Sequence, residues 1–148
     1  MRLVADANTI LSGLFFAGNE RRLLLAALLG QITLLHPEDV VDAVYEVIER
    51  TFHNHIDLPE ALDRLEAILA LGSLVPRDEY ARDIPTWSTR LRDPEDAPIL
   101  ACASATDADG IVTGDRDIIE FDGVKGLKVY RPKEVLDRLR RESRTEGQ

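Results

Sequence analysis

At 148 residues and 16.5 kDa the chain has the length of one domain, able to bury about 70% of its unfolded surface without disulfide staples. A hydrophobic fraction of 45% beside 30% charged residues excludes a disordered chain, and no apolar run approaches the roughly 18 residues of a membrane span. The net charge of -9 excludes the broad basic surface of an indiscriminate nucleic-acid binder, so any nucleic-acid role has to be local.

Residues 2 to 6 read as a first buried strand, entered from Met1 without a basic leader or cleavage site, and a cytoplasmic location is expected from that. Asn8-Thr9 opens a short helix with Ile10, Leu11, Leu14 and Phe15 as its inward stripe, which leaves Asp6 at the strand's C-terminal end. A second helix is predicted over 19–29, and a second strand over 31–35, ended by His36-Pro37. The third helix, about 37–52, carries Val40, Val41, Val44, Val47 and Ile48 at the spacing of one buried face.

Pro59 opens a fourth helix, with Leu62, Leu65, Ile68 and Leu69 inward and Gly72 closing it before a short segment at 74–75. A helix over 78–91 follows, and Pro94-Glu95-Asp96 opens another that runs to Ala105. Strands are predicted at 110–113 and 127–130, and Pro132 starts a last helix ending near Arg141, with a flexible tail over 143–148. Strands alternating with helices predict one α/β domain over 1–142, built on a mostly parallel sheet covered on both faces. The single Cys102, among Ile99, Leu100, Ala101 and Ala103, reads as a buried structural thiol of a reducing compartment.

In open α/β sheets the binding crevice lies beyond the C-terminal strand ends, and Asp6 and Asp115 both fall there. Asp96 lies where a helix start favours a carboxylate. Each has a plain structural explanation as a cap or turn residue. As a group they need more, because carboxylates at about 4 Å repel by about 1 kcal/mol in water and about 4 kcal/mol at an effective dielectric of 20. Such a cluster calls for a cation, and oxygen-only ligands favour Mg²⁺ or Mn²⁺, which activate water for attack on a phosphodiester.

The acids sit in three stretches: Val4-Ala5-Asp6-Ala7-Asn8 with Leu11-Ser12, Asp93-Pro94-Glu95-Asp96-Ala97-Pro98-Ile99-Leu100-Ala101, and Ile111-Val112-Thr113-Gly114-Asp115-Arg116-Asp117. Together they resemble the PIN domains, a family that includes the VapC-type ribonuclease toxins of prokaryotic toxin-antitoxin pairs. The resemblance implies a three-layer α/β/α sandwich with a mostly parallel five-stranded sheet. It implies Asp6, Asp96 and Asp115 as ligands of Mg²⁺ or Mn²⁺, Asp117 as a helper through the metal's outer shell, and RNA as the substrate. A small antitoxin partner and a homodimer are further implications, and Asn8 and Arg116, beside the acids, are the substrate-binding candidates.

One position departs from the family pattern. PIN nucleases usually carry a further acid on the helix after the second strand, and the valine stripe puts Ala43 in its place. Asp42 is adjacent but about 100° around the helix, whereas Glu46 lies about 60° away with its side chain leaning back toward the N-terminus. Glu46 is the preferred substitute, although an ordinary solvated face explains it equally well. The gap leaves a second reading, a catalytically attenuated PIN-fold protein that binds RNA or a partner. A phosphatase of the haloacid-dehalogenase type fits worse, since its second acid would fall at Asn8 and its lysine would have to precede Lys125. Arg21, Arg22, Arg90 and Arg92 are candidates for a phosphate path, and Trp87 and Tyr80 for base stacking or core packing.

Overall fold

In the computed structural model, which describes residues 1–146, the centre of the molecule is β1 (Arg2–Ala5). Leu3, Val4 and Ala5 are each at most 1% exposed, the uninterrupted apolar run expected of a parallel strand covered on both faces. Leu3 pairs with Leu34 of β2 (Thr33–Pro37) on one side and with Gly110 of β4 (Gly110–Val112) on the other. With β3 (Ser73–Val75) and β5 (Val129–Tyr130) at the edges, the order is β3-β2-β1-β4-β5 and every pairing is parallel.

The chain thus steps outward from β1 to β3, then returns across β1 to β4 and β5. Because parallel crossovers are right-handed, that reversal sends the connecting helices to opposite faces. α1 (Ala7–Phe15), α2 (Asn19–Leu28), α3 (Glu38–Thr51) and α4 (Leu58–Leu71) belong to the outward steps. α5 (Ile84–Ser88), α6 (Ala97–Ala105) and the short α7 (Arg116–Ile119) belong to the return. The last helix, α8 (Pro132–Glu146), packs on α2, while α6 lies against β1, β2 and β4. The three-layer α/β/α arrangement expected from the sequence is present, and in α3 the residues Val40, Val44 and Ile48 form the fully buried line. Cys102 is completely buried, and burial pushes its thiol up to about 12, which leaves it an inert packing group.

The last strand is shorter than the sequence expectation, Val129–Tyr130 alone, the short α7 is an unexpected element, and the helix expected from Pro94 opens as a 3-10 turn; three further elements differ for reasons the contacts show. The second strand begins at Thr33 because Gly30, with φ 75, turns the chain so that the Gly30 and Gln31 amides donate back to Ala27 and Ala26 and cap α2. The strand then continues through His36 and Pro37 against Leu74 and Val75. The helix predicted over 78–91 is broken into two 3-10 turns, Arg77–Glu79 and Ala81–Asp83, and the five-residue α5. The break sits at Tyr80, which has φ -129 and is wholly buried with its hydroxyl on Asp39, and Pro85 opens the helix that restarts after it. The last helix runs on to Glu146, so 143–146 are helical, and the remaining two positions of the expected tail lie outside the described residues.

One close approach seats the helices beside the C-terminal end of β1. A Cβ on Gly13 of α1 would lie 2.8 Å from the Glu20 carbonyl oxygen and against the Leu24 side chain of α2. Gly13→Ala is expected to lower the stability by about 1–3 kcal/mol through overpacking, measured by urea unfolding, and an unchanged midpoint would contradict this packing.

Candidate active site

The reversal of strand order falls between β1 and β4, and their C-terminal ends open the crevice that this topology provides. Asp6 leaves β1 there and is the N-cap of α1, its Oδ1 accepting from the Thr9 amide at 3.1 Å. Asp115 follows β4 and caps α7 in the same way, accepting from the Asp117 amide at 2.9 Å. The capping roles are therefore real, and they aim both carboxylates at one place. Between them stands Thr113, fully buried, whose hydroxyl donates to Asp6 Oδ2 at 2.9 Å and accepts from the Asp115 amide at 2.9 Å. Asp96 arrives from the other side of the crevice, in the 3-10 turn Pro94–Asp96 that precedes α6.

Two adjoining hollows share Asp6 and Asn8. One is completed by Ser12, Glu20 and Asp115, the other by Asp39, Ala43, Asp93 and Asp96 among others. Asp117 lines a third hollow together with Arg90 and Arg92, and Arg116 is exposed at the start of α7. Glu46 is not brought to this place. It is exposed on α3 and pairs with Arg50 at 3.2 Å, an ordinary i,i+4 surface contact, and Asp42 is also exposed. Ala43 itself does line the hollow, where the family pattern puts an acid.

The sequence reading missed three residues here. Thr113 joins two acids but carries no charge to mark it. Glu20 comes in through the packing of α2. Asp39 was legible in principle, since it lies four residues before Ala43 and so on the same helical face. Its carboxylate accepts from Arg77 at 2.7 Å and from the Tyr80 hydroxyl at 2.8 Å. Tyr80 and Trp87 are 0% and 2% exposed, so both are core residues and neither presents a face to a base. Arg21 is likewise occupied, donating to the Gly13 and Leu14 carbonyls at the end of α1.

The electrostatics carry the mark of crowded acids. Burial, chiefly, raises the Asp6 carboxyl, and the charge of Asp115 adds to it, while hydrogen bonds from Thr9 and Thr113 pull the other way. Asp96 is pushed up to about 6, first by burial and then by Asp115, Asp93, Asp6 and Asp117. Among the described residues, no group of three or more His, Cys, Asp or Glu side chains is arranged to hold a metal ion as it stands. The fit lies in donor chemistry: the donors are carboxylate oxygens alone, with Asp6 and Asp96 raised first by burial and then by neighbouring charge, a set that suits a hard divalent cation.

A PIN domain family model matches residues 2–117. The chain belongs to the PIN-domain family. No curated protein matches it in sequence. Among solved structures, VapBC2 from Rickettsia felis, bound to a DNA fragment from its promoter, superposes with a TM-score of 0.57 at 15% identity, covering 88% of this chain and 98% of that one. A Pyrobaculum aerophilum protein gives a TM-score of 0.60 at 16% identity, over 94% and 89% of the two chains. A toxin-antitoxin complex from Klebsiella pneumoniae gives 0.57 at 18%, over 88% and 97%. At these identities the likeness is one of fold, and the PIN fold expected from the three sequence stretches is the one found.

The raised Asp96 carboxyl fixes the sign of a pH effect. Its ordinary value is 3.8 and its folded value about 6, so the folded chain binds a proton that the unfolded chain has lost across that window. In metal-free buffer this group's contribution to stability is therefore highest below about pH 4 and falls as pH rises to about 6. Asp96→Asn should melt above the wild type near pH 7, by about 1 kcal/mol after discounting for solvent at this half-exposed group, and close to it near pH 4. Thermal melts of both proteins across that range check this, and an equal offset at every pH would contradict it.

Proposed function

We propose that the protein is a metal-dependent endoribonuclease, acting in the cytoplasm as the toxin of a toxin-antitoxin pair. The observation that supports this reading is that Asp6 lines two adjoining hollows beyond β1 and β4, one shared with Asp115 and the other with Asp96. PIN domains are in general nucleases that use divalent metals, which supports the same chemistry here. The toxin role has the support of fold likeness to proteins from toxin-antitoxin complexes, and it carries with it a small inhibitory protein partner and a homodimer.

Asp6, Asp96 and Asp115 would hold Mg²⁺ or Mn²⁺, with Asp117 acting through its outer shell. When bound, such an ion makes water a nucleophile near neutral pH and neutralises charge on the leaving oxygen. The residues supply the rest. The Thr113 and Thr9 hydrogen bonds fix Asp6 in one rotamer, so the anchor carboxylate does not reorganise when substrate arrives. Asn8, exposed and lining both hollows, would contact the RNA. Arg116, Arg90 and Arg92 supply the local positive charge for phosphates that the net charge of -9 withholds elsewhere.

A second reading, an attenuated PIN protein that binds RNA or a partner more than it cuts, is favoured by one observation: Ala43 lines the hollow where an acid is expected. The two readings diverge on purified protein given single-stranded RNA and Mn²⁺. The nuclease cleaves internally, loses about 100-fold or more in rate with Asp6→Asn or Asp115→Asn, and keeps its rate with Glu46→Gln. Absence of cleavage by the wild type, with RNA still bound, would favour the attenuated reading. Cleavage that survives both aspartate substitutions would remove the site assignment.

A further inference from the structure

The α3 acid expected at Ala43 leaves open which carboxylate, if any, serves in its place. Glu46 and Asp42 are both exposed, and Glu46 is paired with Arg50. Asp39 differs from them in three respects. It lines the same hollow as Asp6, Asp96 and Ala43. It lies one helical turn before Ala43, about 40° around the axis, so it shares the face that Ala43 presents. It is partly sheltered, with 24% of its side chain exposed.

We propose that Asp39 is the α3 carboxylate of the metal site, held off it by Arg77 and Tyr80 and handed over to a divalent cation when one enters the hollow. The inference rests on the nuclease reading above and adds a residue to that site. Both carboxylate oxygens are engaged, Oδ1 by Arg77 Nη1 and Oδ2 by the Tyr80 hydroxyl. The Arg77 side chain is 57% exposed, so the ion pair is of the solvated, weakly stabilising kind. A hard dication outbids such a partner for a carboxylate when two or three further acids share its charge.

The docking of α3 does not depend on the carboxylate alone. The Asp39 amide also donates to the Tyr80 hydroxyl at 3.1 Å, and the Arg77 amide donates to Glu38 Oε2 at 2.8 Å. These bonds keep the start of α3 against the turn at Arg77–Glu79 after the carboxylate has turned away. Arg77 thereby acts as a counter-ion that occupies Asp39 in the absence of metal, which sets the threshold of cation at which the site fills.

Metal binding and substitutions of opposite expected sign test this, with Mn²⁺ itself as the probe, titrated by calorimetry and by the electron paramagnetic resonance of free Mn²⁺. Asp39→Asn, which keeps a hydrogen-bonding side chain for Arg77 and Tyr80, should weaken Mn²⁺ binding about 10-fold. Arg77→Ala should tighten it, and Ala43→Glu should restore affinity in the Asp39→Asn background. A clamp with no part in metal binding would make Asp39→Asn and Arg77→Ala change affinity in the same direction or leave it unchanged, and either outcome overturns the proposal. If the wild type binds Mn²⁺, Asp6→Asn abolishes binding and Asp39→Asn does not alter it, only this inference fails. If the wild type binds no Mn²⁺, the nuclease reading falls with it.

Discussion

The Thr113 hydroxyl ties together the two strand ends on which the site is built. It donates to Asp6 at the end of β1 and accepts from the amide of Asp115 beyond β4, with no solvent access. A buried hydroxyl and a buried carboxylate each cost free energy unless paired, and here each partners the other. The bond therefore holds the crevice closed at its base and sets where the two carboxylates emerge. The central position of β1 is its precondition, because only a strand flanked in register by β2 and β4 brings residue 6 beside residue 113.

On this base the molecule assembles acids that repel. Asp96 is the clearest case, raised by burial and by four neighbouring aspartates. Folding without a cation works against that repulsion, and the surrounding core sustains it: Leu3 to Ala5 of β1, the inward line of α3, and Ala97, Ile99 and Leu100 of α6 are apolar and buried. Helix capping at Asp6 and Asp115 offsets part of the cost, so the same side chains that stabilise α1 and α7 also present charge to the crevice. The structural and chemical readings of these aspartates are two sides of one arrangement.

What the sequence made legible follows from the range of each signal. The buried strand at 2–5, the valine line of α3 and the acids just past strand ends depend on local periodicity and on the topology of parallel sheets, and these were readable. The break at Tyr80 was not, because it is made by a contact with Asp39, 41 positions away in sequence. The start of β2 was displaced by the glycine cap of α2, a local signal that the apolar run at Ile32–Leu35 obscured. Helical angle and side-chain lean near Ala43 favour Glu46 over Asp42, and neither criterion contains the distant partners that decide which carboxylate faces the hollow. Arg50 takes Glu46 to the surface, and Arg77 with Tyr80 holds Asp39 at the hollow. Membership of the PIN-domain family, by contrast, was carried by three short stretches, all lying within the residues 2–117 that the family model matches.

The proposed chemistry requires that Asp6, Asp96 and Asp115 converge to share one divalent cation. The most direct measurement is a crystal soaked in Mn²⁺ and recorded at the manganese absorption edge. The expected result is an anomalous peak in the crevice beyond β1 and β4, within coordination distance of oxygens from all three aspartates. A peak elsewhere on the molecule, or a soaked crevice with the three carboxylates still apart and water alone between them, would contradict it.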